Sequence, residues 1–167
     1  MTRFQRPALA AAALALGFGL NPAWAEGLMT THRIPAMLAV EAVSAAVDTC
    51  AKQGFAVTSA LLDADGVQQA ILRGDGAGIH TLRMANDKAY TAITFRTNTS
   101  AMVENAKTAP PSPAVVKLPH LVLAPGGVVI MDGQELLGAI SVSGVPNPTG
   151  DEACAKAGLA KISDRLK

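Results

Sequence analysis

The sequence predicts an α/β domain of the α+β kind, with helices packed on a mainly antiparallel, five-stranded sheet. Three observations predict it. Hydrophobic periodicity gives the element order α-β-β-α-α-β-β-β-α, which lacks the strict alternation of a doubly wound parallel sheet. Asp63-Ala64-Asp65-Gly66 separates two apolar runs, as the turn of a hairpin does. Pro125-Gly126-Gly127 and Asp132-Gly133 cut the region after Leu121 into three short apolar runs, as in a meander.

Residues 1–25 read as an export signal. Arg3 and Arg6 form a basic start, Ala8 to Leu20 is unbroken Ala, Leu, Gly and Phe, and Ala23-Trp24-Ala25 has the small-x-small pattern of a cleavage site. Thirteen apolar residues are too few for the ~20 that span a bilayer. Cleavage before Glu26 leaves residues 26–167 as a single domain, placed in the periplasm or outside the cell, with no membrane span in the mature form.

From Ile34 to Lys52, the residues Ile34, Met37, Leu38, Val43, Ala46, Val47 and Cys50 recur at helical spacing, and Gly54 supplies the stop. Phe55 to Leu62 and Val67 to Arg73 are the two strands of the hairpin. Gly74 to Gly78 is a connector, and Ile79 to Phe95 is a second helix with Ile79, Leu82, Ala85, Ala89 and Ala92 on its core side. Thr99 or Ser100 is expected to cap a short helix through Lys107, and Pro110, Pro111 and Pro113 turn the next stretch into a loop. Strands are expected at Leu121 to Leu123, Val128 to Met131 and Glu135 to Val142. Thr149 and Glu152 have capping-box spacing ahead of a last helix reaching about Leu166.

Composition excludes several functions. All 13 acids follow Ala25 but only 12 of the 14 Lys and Arg do, so the mature chain is near −1 and has no basic cluster for nucleic acid. Its aromatics are Phe55, Tyr90 and Phe95, too few for a stacking platform. Ser141 and Ser143 lack a nucleophile-elbow context, and His32, His80 and His120 show no zinc-protease spacing. Cys50 and Cys154 fall on the first and last helices, which leaves one disulfide or two buried thiols. The Gly74–Gly78 connector has neither P-loop nor dinucleotide spacing, although the amides of Ile79, His80 and Thr81 behind it suit a carboxylate. On the second helix, His80, Met84, Asp87, Lys88 and Thr91 share one face, and imidazole and thioether are haem-iron ligands. One helix face presents at most one of His80 and Met84 to a given iron.

Asp75-Gly-Ala-Gly-Ile-His-Thr81, Lys88-Ala-Tyr-Thr-Ala92, Pro125-Gly-Gly127, Gly138-Ala-Ile-Ser-Val-Ser-Gly144 and Asp151-Glu-Ala-Cys-Ala-Lys-Ala-Gly158 together resemble the GlcG/HbpS family, over essentially all of residues 34–167. The resemblance implies a profilin-like fold, homo-oligomers often described as octamers, and binding of haem or a related corrinoid. Exported members resemble extracellular haem-binding proteins, and intracellular relatives accompany glycolate metabolism or end corrinoid adenosyltransferases. With an export signal, the expected function is a non-enzymatic haem (tetrapyrrole)-binding protein used in haem or iron sequestration or sensing. The alternative is an enzyme or enzyme accessory that acts on a small carboxylate or degrades haem.

His80 and Thr81, in the Asp-Gly-Ala-Gly-x-His-Thr segment, are the first choice for the cofactor site, with His80 as axial ligand. Arg83 or Lys88 would meet the propionates, and Met84 and Tyr90 complete the candidate set. His32 and His120 are further metal-ligand candidates. Where relatives commonly have Leu-Pro-Gly, this chain has Leu118-Pro119-His120, and the favoured expectation is that His120 fills a permissive turn.

Overall fold

The computed structural model describes Gly27, Thr30, residues 31–147 and 149–166. The expected signal and its cleavage site lie outside the described residues. The chain divides after Thr30, and the unit that follows carries every helix and strand described. No described helix is long and apolar enough to cross a membrane.

Helix α1 (Ala36–Lys52) turns Ala39, Ala42, Val43, Ala46 and Cys50 inward. It ends where Gly54 takes φ +84°, so that the Phe55 N–H reaches the Cys50 carbonyl and the Gly54 N–H the Ala51 carbonyl. Strands β1 (Thr58–Asp63) and β2 (Gln68–Arg73) form the expected hairpin. The Asp63 side chain closes its turn by accepting from the N–H groups of Asp65 and Val67. Helices α2 (His80–Phe95) and α3 (Thr99–Asn105) follow, then β3 (Gly127–Asp132), β4 (Glu135–Ser143) and α4 (Gly150–Ala160).

The sheet has four antiparallel strands in the order β2-β1-β4-β3, not five. The missing strand is Leu121 to Leu123. This segment runs along α2, and the Val122 N–H donates to the Thr91 hydroxyl at 2.9 Å, an α2 partner in place of a neighbouring strand. The capping box is also replaced. Asn147 Oδ1 accepts from the N–H groups of Thr149 and Gly150, while Glu152 pairs with Lys156 at 2.7 Å. Helix α4 stops at Ala160, short of Leu166, and a single 3-10 turn at Ser163–Arg165 follows. Thr99, expected as a cap, is instead the first residue of α3 and accepts from the Gly127 N–H, while Asn98 stands at the N-cap position and its side chain accepts from the Val129 N–H.

Helices α1 and α4 cover one face of the sheet and α2 the other. Alternation along the central strands divides the core accordingly. Leu61, Ile140 and Val142 point to α1 and α4, while Ala60, Leu62 and Ala139 meet Ala85, Ala89 and Ala92 of α2. Small residues on both sides bring α2 close to the sheet, and Ser141 Oγ donates to the Ala85 carbonyl inside that contact. Cys50 and Cys154 form a disulfide, with Cα atoms 5.7 Å apart, between α1 and α4.

Candidate functional site

Helix α2 carries two different faces because its sequence alternates small apolar residues with long polar ones. One face locks the helix down. Thr81 is 1% exposed, and its hydroxyl lies 2.6 Å from both Thr58 Oγ1 and the Gly78 carbonyl. Lys88 is also buried, and its ammonium donates to Asp151 Oδ2 at 2.6 Å and to the Val142 carbonyl at 3.2 Å. Thr81 and Lys88, both named from the sequence as cofactor contacts, therefore point into the protein and join α2 to β1, β4 and α4.

The other face looks onto the loop between α3 and β3. His80, Arg83, Met84 and Asp87 line an open recess of about 370 Å³, closed on its far side by Leu121 and Val122. Leu121 and Val122 also line an adjoining apolar recess of about 150 Å³, with Phe95, Met102, Val115 and Val116 among its walls. The apolar recess alone is below the ~300 Å³ at which small-molecule pockets begin, and it shares the Leu121–Val122 wall with the polar one. The result is one amphiphilic groove, polar at the α2 N-terminus and apolar toward Phe95.

His120 is not itself a wall of either recess, but it precedes Leu121 and bonds Asp87, which are. Its backbone is in the left-handed region, φ +66°, a conformation shared among non-glycine described residues only with Arg96. Its Nδ1 is 2.9 Å from Asp87 Oδ1, and the other carboxylate oxygen of Asp87 accepts from Arg83 Nε at 3.2 Å. The Asp87 side chain is 12% exposed, that of His120 54%. The Tyr90 ring meets the His120 ring edge-on at 5.8 Å. His120 thus lies in a turn whose left-handed backbone suits the glycine that relatives commonly have there, and its ring additionally meets the buried Asp87 carboxylate.

The remaining candidates separate from this cluster. His32 bonds Glu135 through both its ring (2.8 Å) and its N–H (3.0 Å), in a different recess with Arg33, Asp132 and Arg165. The Glu135 hydrogen bond to the ring raises the pKa of His32, and the His32 backbone N–H, followed by its ring, lowers that of Glu135. His80 is exposed, its ring folded over Gly78. The Gly74–Gly78 connector is held by Arg73, whose guanidinium donates to the Ala77 carbonyl, and the Thr81 amide is taken by the Gly78 carbonyl. No group of three or more His, Cys, Asp or Glu able to hold a bare metal ion occurs among the described residues. Ser141 and Ser143 are buried, so neither is presented as a nucleophile.

The sequence reading missed the apolar half of the groove. Its signal was the density of Val, Leu and Met between Met102 and Leu123, which the prolines disguised as an ordinary loop.

The sequence matches, over residues 34–160, the family described as haem degrading protein HbpS-like. A crystal structure of HbpS is 31% identical and superposes with a TM-score of 0.74, covering 80% of this chain and 92% of its own. A double mutant of HbpS from Streptomyces reticuli is 30% identical with the same TM-score, covering 92% and 97%. The haem complex of PduOC shares the fold at 21% identity and a TM-score of 0.69, covering 80% and 96%. No individually curated protein matches. With a match over most of its length and its fold shared with HbpS, this chain belongs to the HbpS-like family.

Proposed function

We propose that the protein binds haem in the groove between α2 and the 106–126 loop, outside the cytoplasm, as a homo-oligomer, and without turning it over. The observation that carries this reading is the groove's division into an apolar half and a half with Arg83 and imidazole, the division that an apolar macrocycle with two carboxylates and an iron needs. The apolar residues would hold the ring and Arg83 a propionate. The iron supplies ligand binding and redox chemistry when haem is present. Met84 lines the same space, while Tyr90 packs toward Gly66 and the α2 core. Lys88, neutralised by Asp151, contributes to the position of α2 and not to the ligand.

Two features support a location outside the cytoplasm: the export-type residues 1–25 and the Cys50–Cys154 disulfide, a bond that persists in oxidising compartments. Assembly is supported by a composition that is 50% hydrophobic with only 16% charged residues. Light scattering that gives a monomer at micromolar concentration contradicts it.

A second reading has one observation in its favour, the family's description as haem degrading. Incubating haem-loaded protein with a reductant in air separates the two. A stable Soret band supports storage or sensing, and conversion to an open-chain tetrapyrrole supports degradation. A corrinoid in place of haem is tested by competition with cobalamin. Placement in the groove is tested by Val116→Asp, which puts a charge in the apolar half at a 46% exposed position. Haem affinity falls about tenfold or more if the ring lies there, since a charge in an apolar site is strongly disfavoured, and unchanged affinity moves the ligand elsewhere.

A further inference from the structure

We infer that His120 is the iron ligand, donating the Nε2 lone pair, and that Asp87 positions its ring. The assignment rests on the proposed haem function and goes beyond it, because resemblance pointed first to His80. A histidine that binds metal through one nitrogen ordinarily gives the N–H of the other to a carboxylate or carbonyl, which fixes both tautomer and ring orientation. His120 has this arrangement at 2.9 Å through Nδ1, leaving Nε2 without a protein partner among the described residues. Asp87 is itself held by Arg83. His120 is joined in sequence to Leu121 and Val122, which line both halves of the groove. Its left-handed backbone is a local cost of the kind that gathers at ligand sites.

The other imidazoles lack this combination. Among the described residues, no carboxylate is bonded to the His80 ring, which folds over Gly78. His32 has Glu135, but its recess is walled by Arg33, Asp132 and Arg165. With no three-ligand cluster among the described residues, one protein nitrogen suits an iron that already carries four from a macrocycle. Ligation would move no proton: His120 would keep the hydrogen on Nδ1, donating it to Asp87, while Nε2 would hold the iron.

The test uses His120→Gly, because glycine accepts φ +66° without strain and keeps the loop folded. The full mature protein and its variants are titrated with hemin, reduced, and examined by resonance Raman for the iron–histidine stretch. The inference predicts that the band is present in the parent, absent in His120→Gly and restored by added imidazole, and that His80→Ala retains it. Asp87→Asn should keep the band but shift it, and lower haem affinity by about 10–100-fold, the usual effect of removing such a partner. If His120→Gly retains the band, or His80→Ala alone loses it, the ligand assignment is overturned while haem binding stands. If the parent takes up no hemin, the haem reading itself fails and the assignment with it.

Discussion

Lys88 and Asp151 meet at 2.6 Å with both side chains less than a tenth exposed, joining the middle of α2 to the start of α4 across the end of β4. Asp151 completes its shell by accepting from the Val145 N–H. Removing one partner of a buried pair leaves the other charge uncompensated, at a cost of roughly 3–5 kcal/mol. Lys88→Met should lower unfolding free energy by about that amount in urea denaturation, and Lys88→Met with Asp151→Leu should recover much of it. Equal destabilisation in the single and double variants would show that packing, not charge, dominates.

The disulfide closes a sequence separation of 104 residues. In the chain-entropy model a loop of this size contributes about 4–5 kcal/mol by restricting the unfolded chain. Cys50→Ala with Cys154→Ala should therefore destabilise by up to about that amount while leaving the far-UV spectrum unchanged. A loss below ~1 kcal/mol would mean that α1 and α4 packing suffices alone.

Most of the fold was legible because periodicity records burial directly. Leu61 against Ala60, and Ile140 against Ala139, alternate between the two cores as a two-sided strand requires. Leu121 to Leu123 was misread because an apolar run says nothing of where its N–H groups go, and that of Val122 goes to Thr91. The stripe of His80, Met84 and Asp87 on α2 was visible, but its partner was not. His120 lies 33 residues from Asp87, beyond a proline-rich loop, and only the folded chain shows them bonded. Thr81 and Lys88 looked like ligand contacts because a buried threonine or lysine has no distinguishing spacing.

The His32–Glu135 pair makes the attachment of the segment just before α1 to the start of β4, just after the β3–β4 turn, depend on pH. His32 has its pKa raised by Glu135, so its contribution is fully present below the ordinary 6.5 and is lost as pH rises through the elevated folded value. Glu135 has its pKa lowered, so its contribution is present above 4.5 and is lost as pH falls through the depressed folded value. The contact is strongest between those two limits. A proton NMR titration should find His32 titrating above 6.5 and returning toward it in Glu135→Gln, and no movement on that substitution would remove the coupling.

Gly138 takes φ +153° where β4 crosses β1, and a Cβ there would overlap the Leu62 carbonyl. Gly138→Ala should therefore destabilise by several kcal/mol, since neither backbone can give way within the sheet. Gly133, in the β3–β4 turn, has nothing within 4 Å of the same position. Gly133→Ala should cost only about 1 kcal/mol, from its φ of +56°. Comparable melting temperatures for the two variants would contradict this contrast.

The central claim, that the α2 groove takes haem, is tested most directly by titrating the mature protein with hemin and following the Soret band. The account predicts a saturable, red-shifted band at a fixed stoichiometry per chain, weakened by Val116→Asp and changed in ligand character by His120→Gly. A linear, unsaturable rise indistinguishable from hemin with an unrelated protein would contradict it.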